Sequence, residues 1–244
     1  MTLTVSTSWD DGDVLDLRIA DILNRYELKG TFYVARDFLD TRMSIQDIRD
    51  LAQLHEIGAH TLTHPVLTAI SLADAKREIE DSKKWLEDVL GQAVDSFCYP
   101  KGAHNAQLAG LVKAAGYRMA RNVQAYHTSV GDNLFSVPTT LQIYPLPLRP
   151  LPDVAIWRGW TTRLQPLRQA IAHQPTFAPW RVLNWRDYAL SWASYAAEHD
   201  GIWHLWGHSW EVEQYQQWQI LDETLKHLSE RFDCVPKTNS ELVI

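Results

Sequence analysis

The period of apolar and polar positions along this chain switches repeatedly between two and about 3.6, and each switch marks an element. Residues 3–9 alternate and run into two adjacent carboxylates, Asp10 and Asp11, which predicts a first strand. Val14, Leu15, Leu17, Ile19, Ile22 and Leu23 then recur at helical spacing, giving a helix over 14–26. Residues 30–35 read as a second strand. Ser44 is placed to cap a helix over 45–56, and residues 57–59 form a short strand that delivers His60. Ser71, with Asp74 at the third helical position, opens a helix that runs to about Leu90 and is ended by Gly91. A strand over 94–98, a helix over 104–115 stopped by Gly116, and a strand over 117–122 follow. This alternation predicts a parallel sheet, open or closed into a barrel.

The second half is less regular. The stretch 138–152 holds Pro138, Pro145, Pro147, Pro150 and Pro152. It reads as an extended connection within the fold, because Leu141, Ile143, Leu146 and Leu148 are apolar and fit a packed segment. Residues 154–172 look helical, with a break near Pro166, and Asn184 suits the cap of a helix over 185–199. A late strand over 201–208, one long helix over 211–232, a last short strand over 234–236 and a final turn capped by Asn239 or Ser240 complete the expectation. No internal repeat is visible, so residues 1–244 are read as a single domain with an irregular Pro-rich stretch.

Composition narrows the function classes. A net charge of −7 with no basic stripe argues against a nucleic-acid partner. No run approaches the length of a membrane span, and Met1-Thr2-Leu3-Thr4-Val5 lacks the basic start of a signal peptide, so a cytoplasmic protein is expected. Cys98 and Cys234 are too few for a disulfide framework and are expected reduced. Of the eleven tryptophans, nine lie in the second half, and their helical-face positions favour core over a stacking surface for sugar rings.

Two short patterns carry candidate chemistry. His60 and His64 stand four apart, which puts both imidazoles on one face of a helical turn and lets them share a divalent cation. Asp10 and Asp11 end the first strand, and Gly12 makes the turn after them. One carboxylate can complete a metal site while its neighbour stays free as a base. Each pattern alone has a plainer explanation, a turn or cap for one and a surface or core histidine pair for the other. Both lie at predicted strand ends, where barrels and open α/β sheets carry their sites. A carboxylate and two neutral imidazoles leave coordination positions for water and a substrate oxygen, the arrangement for metal-assisted hydrolysis of an amide or ester.

These residues also carry a resemblance. Thr7-Ser8-Trp9-Asp10-Asp11-Gly12 resembles the first motif of the polysaccharide deacetylases, the NodB-like carbohydrate esterase family 4, and Ala59-His60-Thr61-Leu62-Thr63-His64-Pro65 resembles the second. The resemblance runs to about Asn122 and returns near the C-terminus. It implies an α/β fold, a distorted (β/α) barrel with about seven parallel strands. It implies Asp11, His60 and His64 as metal ligands, Asp10 as general base and a late-strand histidine as general acid. His204 and His208 are both candidates, four apart on a predicted strand and so on one face. His208 follows Leu205-Trp206-Gly207 and matches the family's last motif better, whereas His204 reads as a hydrogen-bonded core histidine. Glu211 is placed to orient His208.

The third motif departs from the family's pattern. Its arginine, which pairs with the base, is replaced by Cys98 in Cys98-Tyr99-Pro100-Lys101-Gly102. Arg121 or Lys101 could supply that cation, and Arg121 is favoured because a guanidinium can hold a carboxylate bidentately. Tyr99, Pro100 and Trp206 are expected to touch substrate. Asp187 is a poor match to the fourth motif and is equally explained as a first-turn acid on a helix. The implied cofactor is a divalent metal, most simply Zn²⁺, with Co²⁺, Ni²⁺ or Fe²⁺ suiting the same donors. The implied substrate is an N-acetylated sugar or glycan precursor, and a non-sugar amide would use the same site. Two rivals remain. Asp11-Gly12-Asp13-Val14-Leu15 also resembles the signature of haloacid dehalogenase-like phosphatases, with Asp11 as nucleophile, Asp13 as acid and Mg²⁺ bound, but leaves His60, His64 and His208 without roles. The other is a glycan-binding barrel without catalysis, against which the intact Asp10, Asp11, His60 and His64 argue.

Overall fold

The central strand, β1 (Thr2–Asp11), has neighbours along both edges, and the sheet is built outward from it. A computed structural model describes residues 1–145, 168, 171–172 and 183–243. The other strands are β2 (Gly30–Val34), β3 (Glu56–Ala59), β4 (Ser96–Cys98), β5 (Met119–Arg121), β6 (Leu141–Gln142), β7 (Ile202–Gly207) and β8 (Asp233–Pro236). Their order is β5-β4-β3-β2-β1-β7-β6, with β8 also on β1, and every pairing is parallel. Thr7–Asp11 of β1 pairs with β2, Thr2–Val5 with β8, and Thr4–Trp9 with β7. In this parallel sheet covered by helices, β1 is buried on both faces from Val5 onward, and the two aspartates are its last residues.

Residues 134–143 bring the two ends of this ladder together. On the β5 side Ala120 N donates to Leu134 O at 2.8 Å and Val137 N to Ala120 O at 2.9 Å. Three residues on, Thr140 N donates to His204 O at 3.0 Å and Ile143 N to Trp206 O at 2.9 Å on the β7 side. The sheet therefore curls into a distorted barrel, and Pro138, which has no N–H to give, sits where the segment passes from one neighbour to the other. Leu141 and Ile143 are buried, as a packed connection requires. The remainder of the Pro-rich stretch, most of the helix expected over 154–172, and Trp157, Trp160 and Trp180 lie outside the described residues.

The helices are α1 (Asp16–Arg25), α2 (Ile45–Leu51), α3 (Leu72–Leu90), α4 (Ala106–Ala114), α5 (Trp185–Glu198), α6 (Ser209–Gln214) and α7 (Trp218–Arg231). Caps explain several starts and stops. Ser44 and Asp47 bond each other's backbone N–H, Ser71 accepts from Asp74 N, and Gly91 ends α3 at φ 68°. The long helix expected over 211–232 is two helices. Gln216, at φ 54°, stops α6, with Gln217 N bonded to Val212 O and Gln216 N to Glu213 O, a Schellman closure made without glycine. Helix α2 ends five residues early because the chain must turn back to start β3 at Glu56. Trp9, Trp185, Trp192 and Trp203 are fully buried, so the described tryptophans are mainly core. Among the described residues no helix is long and apolar enough to cross a membrane.

A candidate metal centre with an adjoining acid–base pair

The carboxyl ends of β1, β3, β4, β5 and β7 converge on one place. Asp11 ends β1 at φ 85°, an uncommon conformation for any residue but glycine, and Gly12 follows at φ 78°. A Cβ on Gly12 would come within 2.8 Å of Val34 Cγ1, so the turn tolerates no side chain there. The left-handed step brings both carboxylates into the same buried pocket, where each is 2% exposed.

His60 leaves β3 with its N–H bonded to Val34 O at 3.1 Å. The segment after it is not the helical turn expected from the four-residue spacing. Thr61 (φ 69°) and His64 (φ 56°) are both left-handed, and this tight loop brings the two imidazole centroids to 4.8 Å. Thr61 Oγ1 accepts from His64 N at 3.0 Å. Glu78 of α3 accepts from Leu62 N at 2.7 Å, Thr63 N at 3.0 Å and Thr63 Oγ1 at 2.7 Å. Phe38, which the sequence did not single out, stacks on His64 at 4.1 Å.

The donor atoms face one another. His60 Nδ1 lies 2.8 Å from Cys98 O, which makes it the protonated nitrogen and leaves the Nε2 lone pair free. His60 Nε2 and His64 Nε2 lie 3.6 and 3.4 Å from Asp11 Oδ1. That oxygen is buried and has no hydrogen-bond partner. Burial pushes both imidazoles down to about 4, so they are neutral, as ligands must be. An orphaned carboxylate oxygen facing two imidazole lone pairs is a fit for a divalent cation. A second group, Asp10, His60 and Cys98, is also close together. It suits a metal less well, because burial pushes the Cys98 thiol far up and His60 Nδ1 is committed to a carbonyl.

Asp10 is held differently. Arg121 Nη2 donates to Asp10 Oδ1 and lies 3.0 Å from Cys98 Sγ, while Nη1 donates to Asn122 O at 3.1 Å. The wholly buried guanidinium lies between the rings of Tyr33 and Trp206, at 5.2 and 5.0 Å. Cys98 and Arg121 are register partners on β4 and β5, so the small thiol leaves room for the arginine to reach across it. A single nitrogen serves Asp10, not the bidentate fork expected. Burial alone would raise the Asp10 carboxyl, but the Arg121 charge, helped by His60 and His208, holds it below its ordinary value. Lys101, the other candidate cation, is exposed.

His208 does not share a strand face with His204. It lies just past β7 and caps α6, its Nδ1 2.6 Å from Glu211 Oε2 and its Nε2 3.9 Å from Asp11 Oδ2. Burial works against its charge, yet the Glu211 hydrogen bond and the Asp10 and Asp11 charges raise its pKa. His204 is buried with Nε2 2.9 Å from Ser8 Oγ, and burial pushes it down to about 3. Trp210, absent from the sequence reading, donates Nε1–H to Asp11 Oδ2 at 2.9 Å. Its closeness to His208 in the chain was the only available signal.

Several expected contacts fall elsewhere. Tyr99 is fully buried, stacks on His104 at 4.7 Å and donates its hydroxyl to Phe135 O at 3.0 Å, and Pro100 is buried beside it. Both brace the wall of the site. Trp206 is nearly buried beneath Arg121. Asp187 is an exposed first-turn acid of α5, 3.5 Å from Arg186. Asp13, the acid of the phosphatase alternative, accepts Leu15 N at 2.9 Å and the Thr41 hydroxyl, which makes it a loop staple.

Residues 3–120 match the model of the polysaccharide deacetylase family. Among curated relatives, the peptidoglycan-N-acetylmuramic acid deacetylase PdaC of Bacillus subtilis is 29% identical over 114 residues, 45% of this chain and 24% of that one. The chain spans less than half the length of the first curated relatives it matches. Among solved structures, the Xyl-CE4 domain of a multidomain xylanase from the hindgut metagenome of Trinervitermes trinervoides aligns over 99% of this chain and 90% of its own, with a TM-score of 0.60 and 17% identity. A family 4 acetyl xylan esterase from Clostridium thermocellum, solved with a cobalt ion, aligns over 98% and 89%, with a TM-score of 0.57 and 18% identity. At these identities the likeness shows a common fold.

Proposed function

We propose, for a chain whose residues 3–120 carry the polysaccharide deacetylase signature, a metal-dependent hydrolase that removes an acetyl group from an N-acetylated sugar. The observation that carries this reading is Asp11 Oδ1, buried without a partner and faced by His60 and His64 Nε2, next to an Asp10 that Arg121 keeps ionised. The cobalt ion of the Clostridium thermocellum esterase and the N-acetylated substrate in the name of PdaC point the same way. Zinc is the simplest occupant of a His₂Asp donor set, and cobalt, nickel or iron suit it as well.

A bound divalent cation would polarise the acyl carbonyl and acidify the attacking water. The chain's own groups do the rest. Asp10, with Oδ1 tied to Arg121, takes the water's proton on Oδ2. His208, whose pKa the Glu211 hydrogen bond raises, gives the proton on Nε2 to the leaving nitrogen. The buried walls formed by Tyr99, Pro100 and Trp206 limit water around these groups.

Metal content of protein purified without chelator tests the reading. About one equivalent of transition metal is expected in the wild type and none in the His60→Ala/His64→Ala double variant. Acetylated sugars should release acetate with the loaded wild type, and Asp10→Asn should lower kcat/KM by roughly 10²–10⁴-fold. No metal uptake from zinc or cobalt solutions would overturn it. Metal bound without turnover on any acylated substrate would favour the glycan-binding barrel instead.

A further inference from the structure

Asp10 and Asp11 are adjacent, equally buried carboxylates, yet their partners differ in one respect. Asp10 Oδ1 is held by a cation, the Arg121 guanidinium. Asp11 Oδ2 is held by a neutral donor, the indole N–H of Trp210, at 2.9 Å. An indole N–H is a donor only and carries no charge. It therefore fixes Oδ2 without adding a charge of its own, beside a His208 Nε2 that lies 3.9 Å from the same oxygen, and leaves Oδ1 to face both imidazole Nε2 atoms. The same bond occupies Oδ2 and turns the carboxylate plane so that a single oxygen faces the histidines. Trp210 also lies beside the candidate acid, its ring 5.2 Å from that of His208. The first turn after β7 thus carries both the group facing the leaving atom and the group aiming the metal-binding carboxylate.

We infer that Trp210 is a positioning residue for the cation: its N–H takes Asp11 Oδ2 and reserves Oδ1 as a one-oxygen ligand. This rests on the metal-dependent reading of the site. Residues that orient a ligand from behind usually change metal affinity by 10–100-fold when removed. Losing the N–H also frees Asp11 to turn and offer both oxygens, which raises the coordination number.

The test is Co²⁺ titration of the chelator-stripped full chain, read by calorimetry and by visible absorption, for wild type, Trp210→Phe, Trp210→Gln and Asp11→Asn. Trp210→Phe keeps a ring and loses the donor; Trp210→Gln keeps an N–H donor and loses the ring. Expected are Co²⁺ binding at least tenfold weaker in Trp210→Phe, a less intense visible band reflecting higher coordination, and partial recovery of both in Trp210→Gln. Circular dichroism of the metal-free proteins should be the same for all four, which separates positioning from folding. Wild-type affinity and spectrum in Trp210→Phe, with binding lost in Asp11→Asn, would overturn the inference and leave the metal site standing. Equal weakening in Trp210→Phe and Trp210→Gln with an unchanged band would also overturn it, because packing and not the N–H would then be responsible. No Co²⁺ binding by the wild type would remove the site reading itself.

Discussion

Arg121 sets the state of Asp10. The pair is wholly buried, and the guanidinium is the nearest positive charge the carboxylate has. Removing one partner of a buried pair leaves the other charge uncompensated and typically costs about 3–5 kcal/mol. Arg121→Met should therefore lower unfolding stability by that order, and should raise the Asp10 pKa because the burial that opposes its charge is no longer outweighed. Urea denaturation of the variant and acetate-release kinetics measure the two effects. Activity falling by roughly 10²-fold or more is expected if Asp10 acts as base, and an Arg121→Met protein with wild-type kinetics would exclude that role. The sequence offers Arg121 as a cation near the end of the fifth strand, but its reach over Cys98 depends on the β4–β5 register, which brings together residues 23 apart in sequence.

At the scale of elements, the histidine loop is held by a helix. Glu78 of α3 takes two backbone N–H groups and one hydroxyl from Leu62 and Thr63, and the loop itself contains two left-handed residues. Each left-handed non-glycine residue costs on the order of 1 kcal/mol, so the loop keeps its shape through such external bonds. Glu78→Ala should weaken metal binding about tenfold, with a fall in stability of about 1–3 kcal/mol from the lost charged hydrogen bonds. Calorimetric titration with Zn²⁺ and thermal melting of the metal-free protein read these separately. A second link joins the turn after α2 to β2. His55 Nδ1 accepts Gly30 N–H at 3.2 Å, and burial lowers its pKa from 6.5 to about 4. Between those values the unfolded chain binds the proton and the folded one does not. Stability from this histidine is thus fully present above pH 6.5 and is lost as pH falls toward 4. His55→Asn keeps an acceptor without a titrating group, and should flatten the pH dependence of the urea midpoint over that range. An unchanged slope would show that other groups dominate it.

On the scale of the whole molecule, the C-terminal segment ties the start of β1 to the Tyr33 ring that backs the site. Strand β8 pairs with the start of β1, and Asn239 follows, fully buried. Its side chain accepts from Ser6 Oγ at 2.8 Å and donates to the Tyr33 hydroxyl at 2.9 Å, and its N–H donates to Thr31 Oγ1 at 2.8 Å. It was expected only as the cap of a last turn. Asn239→Ala leaves two buried hydroxyls short of a partner and should cost about 2–3 kcal/mol, measured by denaturant unfolding; Tyr33, whose ring the network holds, is the register partner of Asp10 and packs on Arg121. An unfolding midpoint equal to that of the wild type would refute this contribution of the network.

The sequence by itself determined the succession of strands and helices, because hydrophobic period and capping residues are local signals, and it nominated Asp10, Asp11, His60, His64 and His208, because their motifs are short and lie at strand ends. It misread the His60–His64 turn as helical and the segment 211–232 as one helix. In both places a residue other than glycine takes the left-handed conformation, His64 in one and Gln216 in the other, and side-chain identity does not announce it. Only the tertiary structure decided which oxygen of each aspartate is free, that a guanidinium on β5 serves Asp10 across Cys98, and that Trp210 holds Asp11. Those facts follow from strand register and from the path of the chain after β7, and both are set by the packing of distant segments rather than by any local pattern.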